Sequence, residues 1–333
     1  FQPLKIAPLA EDASFFLRSL AGGAAGLLAA ICATGLLVAV RRGDKRALLR
    51  RFTSLSGERF APWLTFTALL TLTSVVLAIW PVCHPFGTDA VGNDVLYEAL
   101  KSLRTAIVIG SLATLATLPF AVTLGMAAGY FKGRVDDAIQ YLYTTLSSIP
   151  SVLLIAASVL LVTVFMDRHP EWWPTGLERA DVRLFLLALI IGMTGWSTLA
   201  RLLRAETMKI TALDYVTAAR AFGVPHARIL RRHVLPNVLH IVLIVTVLDF
   251  SGIVLYEAVL SYVGVGVDPS MSSFGTMINA ARSEMSRSPM VWWNLAASFL
   301  FMLSLVLSAN LFAAAVRDAF DPRAALKRKG GAG

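Results

Sequence analysis

The stretch Leu213–Leu239, LDYVTAARAFGVPHARILRRHVLPNVL, is polar and basic but lies between two long apolar runs. Its first half predicts a short helix, because apolar and small residues recur at helical spacing. Gly223 and Pro225 should end this helix, since glycine caps helices and proline cannot continue one. The predicted face consists of Tyr215, Ala218, Ala219 and Phe222.

The second half of the stretch predicts another amphipathic turn or two from Ala227 to His233, with Ile229 and Leu230 on one side. Pro236 suits the first turn of the following helix, where its missing N–H does no harm. Small residues on a short helix permit close approach of another protein, and the arginines Arg228, Arg231 and Arg232 surround that helix. The stretch is therefore interpreted as a docking surface between two membrane spans.

This spacing resembles the signature of permease subunits of binding-protein-dependent ABC importers, an Ala-Ala pair followed by Gly, then Ile and Leu-Pro. In that family the segment is a cytoplasmic coupling helix that sits in a groove of the ATPase. Thr217 stands where the family usually has Glu. The resemblance implies ATPase-coupling roles for Asp214, Tyr215, Ala218, Ala219, Arg220, Gly223, Ile229, Leu235 and Pro236.

The composition is that of a polytopic membrane protein. Apolar residues make up 56% of the chain and charged residues 15%, and the mean hydropathy is +0.68. The net charge of +9 lies mainly in short loops beside apolar runs, so it reports topology rather than nucleic-acid binding. Neither a P-loop nor an HExxH motif occurs, and two cysteines within or beside apolar runs make neither a disulfide framework nor a metal site.

Apolar runs long enough to span a bilayer predict seven transmembrane helices. Gly22 and Gly26 in the first run have the spacing that lets two helices approach closely, although chance explains it about as well. Gly125 and Gly129 in the third run are again four residues apart. Pro150 predicts a kink in the fourth span. The predicted spans are residues 15–40, 62–80, 105–129, 141–165, 184–199, 238–262 and 292–316.

Lys and Arg favour one side of these spans, which places the N-terminus outside and the C-terminus in the cytoplasm. The segment at residues 130–140 is then a short cytoplasmic turn, and residues 167–183 and 270–291 are outer loops. Arg201 and Arg204 reach the inner surface at an A-R-x-x-R pattern, either as ordinary positive anchors or as part of the coupling machinery.

The segment from His84, HPFGTDAVGNDV, resembles a motif near the first periplasmic loop of the dipeptide, oligopeptide and nickel permease subfamily. Its Asp and Asn residues suit turns and the cap of a helix that starts near Val95. Three of its side chains could in principle bind a metal, but local hydrogen bonding is the preferred reading and no metal site is expected. The motif residues are His84, Gly87, Thr88, Asp89, Gly92 and Asp94.

Two acids, Asp249 and Glu257, lie inside the sixth predicted span. A carboxylate within a span is costly and tends to face a water-filled path or a partner side chain, so both are candidates for the translocation pathway. Glu257 falls in a segment that resembles the subfamily's E-A-x-L-S pattern, and a structural hydrogen bond is favoured there over substrate contact. Asp249 has no counterpart in that pattern.

The expected fold is all-α, the type I ABC importer permease fold with a six-helix core and one additional N-terminal helix. Residues 1–61 would hold the extra helix and a basic cytoplasmic loop, residues 62–322 the permease domain, and residues 323–333 a basic tail. No cofactor is expected in this chain, since ATP and Mg²⁺ would bind to partner ATPases.

The resemblance implies a non-enzymatic subunit that imports di- or oligopeptides across a bacterial inner membrane. The implied partners are a B-type permease, two ATP-binding subunits, a periplasmic or lipid-anchored binding protein and membrane lipid, without nucleic acid. Nickel or another small solute is the alternative cargo. A transporter without an ATPase would predict a charged relay through several spans, and a membrane scaffold would not need the spaced docking pattern.

Overall fold

The computed structural model describes residues 21–26, 70–71, 73–76, 78, 84–288 and 290–320, with side chains as far as residue 317. The chain divides into two compact units, Phe1–Leu96 and Tyr97–Gly333. Most of the predicted spans at 15–40 and 62–80, the basic loop after the first of them and the tail at 323–333 lie outside the described residues.

The described residues of the first unit include helical segments in both of its predicted spans. Residues 21–26 are helical, and a Cβ atom on Gly22 would lie 2.7 Å from the Cβ of Ala78. A Cβ atom on Gly26 would lie 2.8 Å from the Cα of Thr71. The two glycines therefore do admit a neighbouring helix, as their spacing permits.

The helices described at full length are numbered here from Val95. They are α1 (Val95–Phe131), α2 (Gly133–Ser147), α3 (Ser151–Arg168), α4 (Gly176–Thr211), α5 (Asp214–Ala221), α6 (His226–Val263), α7 (Phe274–Glu284) and α8 (Trp293–Phe320), with a 3₁₀ turn at Pro170–Trp172. The described residues are nearly all helical, with a single isolated bridge between Thr88 and Asp94.

Among the described residues, five helices are long and apolar enough to cross a membrane: α1, α3, α4, α6 and α8. They correspond to the last five spans that the sequence predicts. Their apolar surfaces are largely exposed within this chain, and on α8 the outward side chains include Phe299, Leu303, Leu307 and Leu311. Such surfaces suit lipid or another membrane protein.

Two predictions around the fourth span were wrong. The segment after Tyr130 is not a simple turn, because α2 begins at Gly133 directly after Lys132, which adopts a left-handed φ of 55°. Pro150 does not kink a continuous span either. It occupies the N-cap position of α3, so the span begins at Ser151 and the residues from Tyr141 to Ser147 belong to α2.

The predicted outer loop at residues 270–291 also contains a helix, α7. Ser273 and Thr276 form a reciprocal capping box at its start. Phe274 is fully buried, and a Cβ atom on Gly275 would lie 2.4 Å from the carbonyl oxygen of Ala258. A glycine is therefore needed where α7 lies against α6.

The helix α6 contains a π-helical turn at Leu230–Val234, in which the N–H of Leu235 bonds to the carbonyl of Leu230. Pro236 follows immediately, as predicted for a first helical turn, but the helix is already continuous from His226. A proline inside a helix cannot donate to the carbonyl four residues earlier, and wider turns of this kind accommodate that loss.

Glycines set the packing of α1 against α4. A Cβ atom on Gly125 would lie 2.7 Å from the carbonyl oxygen of Ala200, and one on Gly129 would lie 2.6 Å from that of Arg204. A Cβ atom on Gly192 would lie 2.5 Å from the carbonyl oxygen of Ala113. The backbones of α1 and α4 thus approach closely at several points along their length.

Candidate functional site

The docking segment folds as the short helix α5, which ends just before Gly223, as its sequence predicts. Asp214 opens the helix, where an acid interacts favourably with the helix dipole. Gly223 adopts a left-handed φ of 71° and ends it. The N–H of Val224 then bonds to the carbonyl of Ala219 at 3.1 Å, which turns the chain into α6.

The inner side of α5 packs onto the second unit's core. Val216 is fully buried, and Ala219 packs beside it in a cluster that also holds Tyr130, Leu203 and Ile229. Ala219 was predicted to lie on the same outward face as Ala218, and this part of the prediction was wrong. The face turned to solvent contains Ala218 while Ala219 is half-buried.

The outer side of α5 is apolar at its centre and basic around it. Phe222 is 87% exposed, and Leu213 and Tyr215 are about half exposed. A cleft of ≈ 680 Å³ adjoins this side of α5 and is lined by Pro225, Ala227, Arg228, Arg231, Arg232 and Pro236. We call the two together the docking surface, which consists of this cleft and of Leu213, Tyr215, Ala218, Arg220 and Phe222.

Hydrogen bonds and ring contacts join α5 to the spans on both sides. The hydroxyl of Tyr130, at the end of α1, lies 2.7 Å from Nδ1 of His226 at the start of α6. The guanidinium of Arg220 lies 4.9 Å from the centroid of the Tyr130 ring. Asn237 donates to the hydroxyl of Tyr215 at 3.2 Å. These contacts make α5 and the ends of α1 and α6 one connected unit.

The remaining coupling candidates support the same junction. Ile229 is fully buried in the cluster beneath α5, Leu235 is half-buried against it, and Pro236 is exposed in the adjoining cleft. The sequence assigns these residues to one motif, and the structure places them around one junction between α5 and α6.

An ion pair holds α2 against α4 below the junction. Nε and Nη2 of Arg204 donate to the two carboxylate oxygens of Asp136 at 2.5 and 2.6 Å. The hydrogen bonds from Arg204 hold the pKa of Asp136 below its usual value. Arg201 lies over the ring of Tyr143 at 5.6 Å. Both arginines thus bind α2, beyond any role as membrane anchors.

Asp249 lines a cavity of ≈ 450 Å³ bounded by α1, α2, α3, α4 and α6, where Ser151, Thr198, Tyr256 and Arg201 also lie. No hydrogen bond or ion pair from the described residues reaches the Asp249 carboxylate. Its position fits a solvated path through the spans, and its role there stays a prediction.

Glu257 lies elsewhere, fully buried inside α6. Ser261 donates to Oε1 of Glu257 at 2.6 Å and accepts from the N–H of Val267 at 3.1 Å. This chain of hydrogen bonds ties the end of α6 to the segment that follows it, which is the arrangement that the sequence favoured over substrate contact.

The loop at residues 84–94 is held together by its own hydrogen bonds. Nδ1 of His84 lies 2.8 Å from the carboxylate of Asp94, whose other oxygen accepts the N–H of Leu96 and so caps α1. Asp89 accepts the N–H groups of Val91 and Asn93 at 2.9 and 2.7 Å.

Backbone geometry completes this loop. Gly87 and Gly92 adopt φ values of 73° and 100°, and Thr88 pairs with Asp94. In the described part of the chain, no group of three or more His, Cys, Asp and Glu side chains is arranged to hold a metal ion. The loop motif is thus a compact turn that starts α1.

Sequence reasoning missed two parts of this site. Tyr130 was placed only at the start of the predicted turn at residues 130–140, and His226 was not singled out, because their contact joins residues 96 positions apart. Phe222 was placed on the predicted helical face but not among the coupling residues. A large aromatic next to a helix-ending glycine, in a segment flanked by arginines, is the signal that identifies it.

Comparisons with known proteins agree with this architecture. A family described as "Binding-protein-dependent transport system inner membrane component" matches residues 121–326. The oligopeptide transport system permease protein OppC of Haemophilus influenzae is 30% identical over 240 residues, which are 72% of this chain and 70% of that protein. OppC of Mycobacterium tuberculosis is 33% identical over 247 residues, 74% of this chain and 78% of that protein.

A dipeptide transport system permease protein DppC, from Lactococcus lactis, is 29% identical over 241 residues, 72% of this chain and 64% of that protein. Among solved structures, the MetNI methionine ABC transporter in an inward-facing conformation aligns with 67% of this chain and 95% of its own, at 18% identity and a TM-score of 0.46.

Proposed function

The chain belongs to the family of binding-protein-dependent transport system inner membrane components, and from this premise we propose that it is a permease subunit of an ATP-driven importer of short peptides. It is a multi-pass inner-membrane protein and a transport component rather than an enzyme. The peptide cargo is supported by relatives that are named as oligopeptide and dipeptide transport permeases.

The observation that carries the proposal is the docking surface between α4 and α6. It presents an 87% exposed Phe222 among arginines, on a helix that is held to the ends of α1 and α6. Aromatic and arginine side chains are enriched at the centres of protein interfaces. This surface fits an acidic, apolar-lined groove on an ATP-binding subunit that hydrolyses ATP with Mg²⁺.

The complete importer would contain two such ATP-binding subunits, a second permease subunit and a substrate-binding protein outside the membrane. The exposed apolar faces of α6 and α8 leave room for the second permease. The basic residues of α5 and the start of α6 support a cytoplasmic position for the docking surface. With that orientation, the C-terminus is cytoplasmic and the loop at residues 84–94 lies outside.

The mechanism follows from the rigidity of the junction. When the ATP-binding subunits close, they would carry α5 with them. The contacts of Tyr130 with His226 and Arg220 then pass the displacement to α1 and α6, and the close α1–α4 packing passes it to α4. Rocking of these spans against the second permease opens the pathway alternately to each side.

Uptake into proteoliposomes that hold the complete importer tests the proposal. A labelled tripeptide should accumulate only when ATP is inside and the binding protein is outside, and free nickel should not compete. The control replaces Ala218 by Glu, which places charge and bulk on the exposed side of α5. Uptake without ATP, or full uptake by the Ala218→Glu importer, would contradict the proposal.

A further inference from the structure

An unpartnered carboxylate in the middle of a membrane-spanning helix is the feature that the fold does not explain. Asp249 lies in the middle of α6, and no hydrogen bond or ion pair from the described residues reaches it. An acid at the centre of a span is costly, so such an acid usually faces a partner side chain or a water-filled path. The second acid of α6, Glu257, is by contrast hydrogen-bonded to Ser261.

The surroundings of Asp249 are those of a ligand site. It shares a cavity of ≈ 450 Å³ with hydroxyl-bearing residues from five helices, α1, α2, α3, α4 and α6, and small-molecule sites occupy about 300–1,000 Å³. The hydroxyl of Ser151 lies 3.5 Å from that of Tyr256 across the cavity. The walls thus offer neutral hydrogen-bonding groups, and the negative charge comes from Asp249.

The one cation that lines this cavity does not neutralise Asp249. Arg201 lies over the ring of Tyr143, and no ion pair within the described residues joins it to Asp249. No cation among the described residues therefore complements Asp249. The free carboxylate is complementary to a positively charged group, and the separate guanidinium of Arg201 is complementary to a negatively charged one, which together match a zwitterion.

We propose that Asp249 recognises the positively charged groups of the cargo, so that this subunit favours cationic and zwitterionic peptides over acidic ones during translocation. The proposal rests on the proposed function, because it assumes that peptides pass this cavity. A carboxylate attracts an ammonium group and repels a second carboxylate, most strongly where protein walls exclude bulk water. Asp249 is then a specificity-determining residue of the pathway.

The test compares three tripeptides of similar size, Ala-Lys-Ala, Ala-Gln-Ala and Ala-Glu-Ala, in proteoliposomes with the complete importer. Each peptide is supplied at a concentration that saturates the binding protein, so that rate differences arise after delivery. The wild-type importer should take up the Lys peptide faster than the Glu peptide. In Asp249→Asn, the ratio of the two rates should fall by about tenfold or to near one, since one unit of charge has been removed.

Two further variants control this result. Asp249→Glu keeps the charge and should keep the ratio, and Asp181→Asn removes an acid from an exposed position on α4 outside the cavity and should also keep it. Asp249→Ser replaces the Asn variant if the latter does not assemble with the ATP-binding subunits. A fall in the ratio that is confined to the uncharged Asp249 variants supports the proposal.

Three other outcomes overturn it. Equal loss of all three peptides in Asp249→Asn would assign the acid to a partner permease or to assembly, and an unchanged ratio at unchanged rates would remove it from selectivity. Failure of the wild-type importer to take up any of the peptides would overturn the peptide function itself and, with it, this inference. Uptake of Ala-Gln-Ala by the wild-type importer distinguishes these failures, because it shows that the peptide function holds even where the selectivity attributed to Asp249 does not.

Discussion

The hydroxyl of Tyr130 lies 2.7 Å from Nδ1 of His226, so the end of α1 is bonded to the start of α6 directly beneath the docking helix. The ring of Tyr130 also contacts Phe131 and the guanidinium of Arg220. One side chain thus joins the docking helix α5 to two spans that are distant in sequence. A displacement of α5 would be passed to α1 and α6 through these contacts of Tyr130.

Replacing Tyr130 by Phe should weaken coupling between ATP hydrolysis and transport. The variant keeps the ring under Arg220 but loses the hydrogen bond to His226, which contributes about 1 kcal/mol. We expect fewer peptides transported per ATP hydrolysed, with unchanged assembly. The measurement is the ratio of uptake to phosphate release in proteoliposomes. Tyr141→Phe, at an exposed position on α2, is the matched control, and equal ratios in both variants would contradict this role.

Replacing Phe222 by Ala should weaken binding of the ATP-binding subunits. An exposed aromatic at the centre of an interface typically contributes more than about 1–2 kcal/mol to binding, a factor of roughly ten in affinity. Co-purification of the ATP-binding subunits in detergent measures the loss. Leu177→Ala, a similarly exposed apolar residue at the start of α4, should leave co-purification unchanged. Full retention of the subunits by Phe222→Ala would place the interface elsewhere.

Replacing Ala218 and Ala219 separately should distinguish docking from packing. Ala218 is exposed, so Ala218→Glu should leave the protein abundant in the membrane while uptake is lost. Ala219 is half-buried beside Val216, so Ala219→Glu should also lower stability, because it places a charge against an apolar cluster. Membrane abundance and thermal unfolding in detergent measure the difference. Equal stability of the two variants would show that the sides of α5 are assigned wrongly.

The Asp136–Arg204 pair should give the protein an acid-sensitive contribution to stability. Because Arg204 lowers the pKa of Asp136 in the folded protein, the contribution is complete above the unfolded value of about 3.9 and is lost as the pH falls through the lower, folded value. At neutral pH, Asp136→Asn should therefore be less stable than the wild type by about 1–3 kcal/mol.

The difference in the free energy of unfolding between the wild type and Asp136→Asn should shrink below about pH 4. Thermal unfolding in detergent across this range measures it. The control is Asp137→Asn, which changes the exposed neighbouring acid on α2 and should lower the stability little at any pH. A penalty for Asp136→Asn that stays constant into acid would show that the ion pair is not its source.

Glu257 offers a test between a structural role and a role in the pathway. Glu257→Gln keeps an acceptor for the Ser261 hydroxyl, so abundance and uptake should stay close to wild type. Glu257→Ala leaves a buried hydroxyl without its partner and should destabilise the protein by about 1–3 kcal/mol. Unfolding midpoints and uptake rates report both effects. Loss of uptake in the stable Gln variant would instead assign Glu257 to the pathway.

Local signals predicted the parts of this protein that local chemistry determines. Gly223 and Pro225 mark the end of α5 because their backbone preferences allow little else, and the apolar runs mark α1, α3, α4, α6 and α8 because a bilayer demands that length. The side of α5 that faces inward was assigned wrongly at Ala219. An eight-residue helix is too short for its periodicity to separate neighbouring faces.

Non-local contacts account for the other errors. The sequence at residues 130–140 is polar and was read as a turn, although α2 packs its Asp136 on Arg204 of α4. Pro150 was read as a kink, but its position after Ser148 lets one helix end and the next begin. The cavity around Asp249 depends on helices separated by about a hundred residues, which a pattern within one span cannot reveal.

The π-helical turn at Leu230–Val234 sets the rotational phase between the two ends of α6. A turn of this kind holds one residue more than a regular turn, and each residue rotates a helix by about 100°. Deleting one residue there would restore regular winding. It would also turn Asp249 by that angle relative to His226 and the docking surface, so the extra residue is what lets one helix carry the docking surface at one end and line the cavity at the other.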